Sequence, residues 1–297
     1  VTAGADAERP RRITIDLDGA WCYRRIHGRA DDDDDTRRIT DADPLLLQAL
    51  PRILALCARH KTTATLFVVG QDARTAAVAA LLREALAAGF DLQCHSDAHD
   101  YALSRWPKER ARADIVAGLD AIEALGARRP RGFRAPGYNL APPLVEALVE
   151  AGVLWSSSVL PSPAYFALRA LVIARTRLQG RRSSSLVGDI AAFLPRLPHR
   201  SFDHDVGGTV VREHPITTAA GLPWTGTTLA LLPDAAADAL TTVALSTSAA
   251  SDLVFELHAA DFVDGTMLPE DQPEARVPLA DKLRRIERAV ARVVAHR

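Results

Sequence analysis

The feature that most constrains the fold is a repeated alternation. Short β-branched or apolar runs are each followed by a segment with helical spacing. Thr62 to Val69 reads as a strand closed by Gly70, Ala73 to Ala88 as an Ala/Leu-rich helix capped by Gly89, and Phe90 to Cys94 as the next strand. The pattern extends both ways. Ile13 to Asp18 reads as a first strand. Asp43 to Arg59 has apolar residues at Leu46, Leu47, Leu50, Ile53, Leu54 and Leu56, which is helical spacing. Helices are expected at Pro107 to Leu125, Pro142 to Glu150, Ala235 to Leu245 and Leu279 to Val294. Strands are expected at Gly132 to Tyr138, Val153 to Val159, Val210 to His214 and Leu253 to His258, and Ser183 to Gly208 reads as loop. Such alternation predicts an α/β chain with a parallel sheet and right-handed crossovers, closed or nearly closed into a barrel. No repeat or Ser/Gly linker divides it, so residues 1–297 read as one domain with an insert at about 160–230.

Composition narrows the class. At 297 residues the chain can bury a sizeable core, and a net charge of −1 gives no reason to expect nucleic acid as a partner. Cys22, Cys57 and Cys94 are scattered and form no CxxC pair, which points to reduced thiols. With no apolar leader at the start and no apolar run long enough to span a bilayer, the expectation is a cytoplasmic chain, peripheral at the membrane if it touches one. Asp31 to Asp35 read as a solvated loop.

The residues that carry chemistry sit where the predicted strands end. His95 and His99 are four apart; on a helical turn both rings would share one face and grip a borderline metal such as zinc. The alternative is a helix cap, with Ser96 or Asp97 taking free backbone N–H groups. Asp16 and Asp18 close the first strand, and two acids so placed repel one another unless a cation lies between them. Asp16, Asp18, His95, His99, Arg134 and His258 all fall at or just past strand C-termini, the end at which a barrel keeps its chemistry.

These blocks resemble the polysaccharide deacetylase superfamily, the NodB-homology or family-four carbohydrate esterase group. Ile13-Thr-Ile-Asp-Leu-Asp18-Gly is similar to its first motif in the Asp-x-Asp form, and Ala64 to Gly70 to its second strand. His95-Ser-Asp-Ala-His99 matches the His-Ser/Thr-x-x-His motif. Gly132-Phe-Arg134-Ala-Pro136-Gly-Tyr138 resembles the Arg-x-Pro motif, and Phe255-Glu-Leu-His258 the last one. The resemblance implies a distorted (β/α)7 barrel holding one divalent metal: zinc first, with cobalt, nickel or manganese as alternatives. Asp18, His95 and His99 would be ligands and Asp16 the general base, held ionised by Arg134. His258 would protonate the leaving amine, and a backbone N–H near Tyr138 would stabilise the oxyanion. Tyr138, Pro136, Trp21 and Asp261 complete the expected substrate contacts. One departure stands out: where related sequences often carry an Asp before Ser-Ser, this chain has Ser156, and Asp261 is the substitute partner expected for His258.

The implied activity is hydrolysis of an acetyl or formyl group from an N-acylated amino sugar or glycoconjugate. The stretch from Pro161 to Thr227 is similar to a subgroup with a longer insert, and its placement resembles deformylases of lipid-linked aminoarabinose. Five arginines among the apolar residues of Pro163 to Arg182 suit peripheral contact with a membrane. The competing readings are an amidohydrolase on a non-sugar or cyclic amide, and a catalytically impaired barrel that binds sugar.

Overall fold

The structure, a computed structural model, describes residues 9–29, 43–185 and 199–296. The acidic run Asp31 to Asp35 lies outside the described residues. In chain order the elements are β1 (Ile13–Asp16), α1 (Ala20–Ile26), α2 (Pro44–Arg59), β2 (Thr65–Val68), α3 (Gly70–Ala73), α4 (Ala76–Ala87) and β3 (Asp91–Cys94). Next come α5 (Lys108–Glu123), β4 (Gly132–Phe133), α6 (Pro142–Glu150), β5 (Trp155–Ser156) and α7 (Pro163–Leu178). The hairpin β6 (Phe202–Val206) and β7 (Thr209–Glu213) leads through β8 (Thr218–Ala219) and β9 (Leu222–Pro223) to α8 (Gly226–Leu231) and α9 (Asp234–Thr247). The chain closes with β10 (Phe255–His258) and α10 (Leu279–Ala295).

The main sheet runs β10-β1-β2-β3-β4-β5-β7-β6. Its first seven members pair in parallel and β6 pairs antiparallel with β7. The strands therefore make a distorted (β/α)7 barrel with a hairpin arm on one edge. Alternation along the strands separates two faces. Ile13, Ile15, Leu66, Leu92, Phe255 and Leu257 point outward into one apolar cluster with Leu46, Leu50 and Ile53 of α2. Each large side chain so buried contributes about 1.5–3 kcal/mol. The other face carries Thr14, Asp16 and Phe67, with Thr14 in register with Glu256 and Asp16 with His258. Polar groups placed inside a barrel are costly unless partnered, and those partners define the site.

Three expectations need adjusting. Ala73 to Ala88 is not one helix: it breaks at Arg74–Thr75, where the Thr75 hydroxyl donates to the Asp72 carbonyl at 2.9 Å. Part of the supposed loop Ser183 to Gly208 is strand β6, turned into β7 by Gly207 and Gly208 at φ +58° and +88°. A Gly-Gly pair suits such a two-residue hairpin because both residues reach positive φ without a Cβ penalty. Helices α1 and α8 lie where the sequence indicated no helix. Within the stretch at about 160–230, β7 is itself a barrel strand beside β5.

Candidate metal and hydrolytic centre

The rim is built from strand ends. Strand β1 stops at Asp16, and the following residues turn so that Asp18 also reaches the barrel mouth. Asp43 fixes this turn: its carboxylate accepts from Ala20 N at 2.9 Å and from Leu45 N at 2.8 Å, capping α1 and α2 together. Strand β3 delivers His95. The chain beyond is not helical: Ser96 and His99 have φ of +64° and +47°. Two non-glycine residues in the left-handed region are strained, and this strain sits at the centre of the site. Hydrogen bonds hold the loop in place. Ser96 Oγ accepts from His99 N at 2.9 Å, and Asp114 on α5 accepts from Asp97 N at 2.9 Å and Ala98 N at 3.0 Å. Gly118 lets α5 close on the loop, since a Cβ there would lie 2.8 Å from Cys94 Sγ.

The result is a triangle of donor atoms. Asp18 Oδ1 lies 3.3 Å from His95 Nε2 and 3.1 Å from His99 Nε2, and the two Nε2 atoms are 3.2 Å apart. Four ligands at ~2.1 Å around a tetrahedral ion sit about 3.4 Å apart. The donors thus fit one small divalent cation, and Asp18-His-His is a donor set that zinc accepts. His95 Nδ1–H donates to the Arg134 carbonyl at 2.7 Å, so its Nε2 lone pair faces the triangle. All three residues are buried. Burial opposes the Asp18 charge, yet His99 and His95 hold its carboxyl well below the usual range. Burial pulls His99 down; His95 is raised because Asp16 and Asp18 outweigh its own burial.

A second group lies beside the first. The Arg134 guanidinium is wholly buried and donates to Asp16 Oδ1 at 2.6 Å, to the Ser157 carbonyl at 2.7 Å, to Ser157 Oγ at 2.9 Å and to Thr14 Oγ1 at 3.1 Å. It also meets Glu256 Oε1 at 3.4 Å and lies over the Phe67 ring at 4.1 Å. Asp16 Oδ2 is 3.7 Å from His95 Nε2 and 4.0 Å from His258 Nε2. One guanidinium against two carboxylates leaves a negative charge, which an imidazolium at His258 balances. Burial works against that imidazolium, but Glu256 and Asp16 outweigh it and push His258 up to about 9. Glu256 is pushed up to about 7, by burial first and by Asp16 beside it. The His258 side chain is 17 % exposed against 2 % for Asp16, so it is the member of the group that a substrate can reach.

The structure brings Asp16, Asp18, His95, His99, Arg134 and His258 to one rim, and corrects several details around them. Asp261 does not orient the His258 ring: its carboxylate accepts from the His258 backbone N–H at 2.8 Å. The Tyr138 backbone N–H already donates to the Ala135 carbonyl at 3.0 Å, so it is not a free oxyanion donor; the Tyr138 hydroxyl instead lies 3.2 Å from His258 Nε2. Trp21, Pro136 and Asp261 are buried, leaving Tyr138 as the expected substrate contact with an open face. Trp21 packs edge-on behind His99, ring centroids 5.7 Å apart. Ser156 bonds Ser158 at 2.8 Å within the turn after β5, whose backbone N–H groups at Ser158 and Val159 are held by Glu213. The sequence reading missed Glu256, Ser157 and Asp114. Glu256 carried a usable signal: it is an acid inside an apolar strand, two residues before His258 and hence on the same face.

The family model for polysaccharide deacetylase matches residues 34–154. That span holds His95, His99 and Arg134, while Asp16, Asp18 and His258 join the site through the fold. No curated protein matches the chain. Among solved structures, it is similar to a protein assigned to the polysaccharide deacetylases from Mycobacterium smegmatis, with TM-score 0.57 and 15% identity over 99% of this chain and 87% of that one. It is also similar to a family 4 carbohydrate esterase from Streptomyces lividans in complex with acetate, with TM-score 0.44 and 15% identity over 95% of this chain and 86% of that one. The family match thus spans the His-Ser-x-x-His and Arg-x-Pro motifs, and the chain shares its fold with the mycobacterial protein over nearly its full length.

Proposed function

We propose that the protein is a metal-dependent amide hydrolase that removes an acetyl or formyl group from an N-acylated amino sugar or glycoconjugate. The observation that carries this reading is the donor triangle of Asp18, His95 and His99 with a second carboxylate, Asp16, held beside it by Arg134. A divalent cation bound there supplies Lewis acidity and lowers the pKa of water to near neutrality.

The chain's own residues account for the proton movements. Asp16 takes a proton as water adds to the amide carbon, and the short bond from Arg134 keeps its carboxylate aimed. His258, carrying a proton at Nε2, gives it to the departing nitrogen, so the C–N bond breaks to an amine and a carboxylic acid. The Tyr138 hydroxyl fixes the imidazole from the substrate side. The test is metal analysis beside turnover on a panel of N-acetylated and N-formylated sugars, free and lipid-linked. His99→Ala should lose bound metal and activity together. A His99→Ala protein that keeps a full equivalent of metal, or hydrolysis of cyclic or non-sugar amides in preference to every sugar, would overturn the reading.

Contact with a membrane belongs to the same proposal. On α7, Leu168, Leu171 and Leu178 are 62 %, 65 % and 89 % exposed. The helix and the residues just after it carry arginines and no acid. An apolar stripe edged by cations fits an anionic lipid surface, and Tyr165 on the same helix packs edge-on against Tyr138 beside His258, centroids 5.4 Å apart. Among the described residues no helix is long and apolar enough to cross a membrane.

A further inference from the structure

The opposite end of the sheet holds a feature that the hydrolytic centre does not use. Where β1 to β4 begin, a cavity of about 690 Å³ opens between the strand starts and α10. Arg9, Arg11 and Arg12 line one side, just before β1. Arg128, Arg129 and Arg131 line the other, just before β4. Because β2 and β3 lie between β1 and β4 in the sheet, the two arginine triplets face each other across them.

The charge balance inside this cavity is one-sided. Among the described residues Asp91 is the one carboxylate in its lining, and it already accepts from Gln93 at 2.8 Å and Thr65 at 3.2 Å. Arg9, Arg11 and Arg12 donate to the backbone carbonyls of Ser251, Gly89 and His296, which bear no net charge to neutralise them. Arg129 is paired with Asp120 and Glu123. The side chains of Arg128 and Arg131 make no hydrogen bond or ion pair with any described residue, although the chain as a whole has a net charge of −1. The Asp91 charge acts on Arg11; beyond it, Arg9, Arg12, Arg128 and Arg131 have no carboxylate partner among the described residues, and guanidiniums gathered around one concavity repel one another, a cost that an anion removes. Guanidinium forks match the paired oxygens of phosphate groups, and the cavity has the size of a small-molecule site.

We infer that this cavity binds a small molecule bearing two or more closely spaced phosphate groups. The ligand sits at the N-terminal end of the strands, a full strand length from Asp16 and His258, so its binding and the hydrolytic chemistry are separable.

The experiment is titration calorimetry on the full chain at low ionic strength, with pyrophosphate as the probe and inorganic phosphate as the comparison. Pyrophosphate should bind saturably with one site and more tightly than phosphate. The double variant Arg128→Glu/Arg131→Glu, which alters exposed side chains with no fold partner, should weaken it at least tenfold. Arg175→Glu, on α7, should leave it unchanged. Absence of saturable pyrophosphate binding, equal binding by the double variant, or equal affinity for phosphate overturns the inference. So does pyrophosphate binding that appears only once residues 1–8 are removed, because Asp6 and Glu8 would then be the anions the cavity serves.

Discussion

Asp16 and His258 share a hydrogen-bonded neighbourhood but take opposite parts in it, and substitutions separate them. Asp16→Asn should retain metal and lose roughly 10²–10⁴-fold in kcat; wild-type turnover in that variant would remove Asp16 from the chemistry. An acid must hold its proton, so activity should fall as pH rises through the His258 pKa. Its carboxylate neighbours push that pKa to about 9, while a bound cation pulls it back toward the ordinary ~6.5. The basic limb of kcat/KM should therefore lie between these values and vanish in His258→Ala. Glu256→Gln removes the carboxylate that does most to raise it, so the limb should move to lower pH with metal content unchanged. An unmoved limb would mean that Glu256 serves only Arg134. The six rim residues were legible in the sequence because each lies at a strand end or in the turn just after one. Glu256 was not, because one acid between Phe255 and Leu257 reads as a break in an apolar run until its register with Thr14 is known.

At the scale of elements, α7 is the piece whose packing is least complete. Its inward face is anchored: Arg169 donates to the Gly137 carbonyl at 2.5 Å and to Ser185 Oγ at 2.8 Å, tying the helix to the turn that carries Tyr138. Its outward face exposes the three leucines. Flotation with anionic liposomes should recover the protein at low salt and less of it at high salt, and Leu168→Glu/Leu171→Glu should abolish recovery. Failure to float at low salt would leave α7 as a solvated helix. The sequence showed this stretch only as arginines mixed with apolar residues, and not which of them faced inward. Arg169 is buried while Leu168 and Leu171 are not, the reverse of what hydropathy alone would assign. Strand β6, the first arm of the hairpin with β7, was missed for a related reason. Phe202-Asp-His-Asp-Val alternates only weakly in hydropathy, so the Gly-Gly turn was the one firm signal.

For the molecule as a whole, a cation held by Asp18, His95 and His99 would staple together segments far apart in sequence, the end of β1 and the loop after β3. A site that exists only in the folded chain stabilises it by about 2.7 kcal/mol when free metal is a hundredfold above Kd. For a chain of this size that is roughly 4 °C in Tm. Thermal melts with zinc and with a chelator should differ by that order, and His99→Ala should erase the difference. An equal shift in His99→Ala would place the stabilising metal elsewhere. The barrel itself was legible from strand–helix alternation, since only parallel strands with crossover helices satisfy it. The departure from closure was not, because it depends on β10 and the hairpin strand β6 both ending as edges, which alternation does not report.

Arg134 grips the two halves of the centre with different parts of itself. Its carbonyl steadies His95, and its guanidinium steadies Asp16. A main-chain oxygen survives every substitution, whereas a side chain does not. Shortening this single residue therefore disarms the base and spares the metal cradle, provided the loop after β4 keeps its path. If the proposed chemistry holds, one codon would then separate a chain that binds and cleaves its substrate from one that binds it, metal and all, and releases it intact.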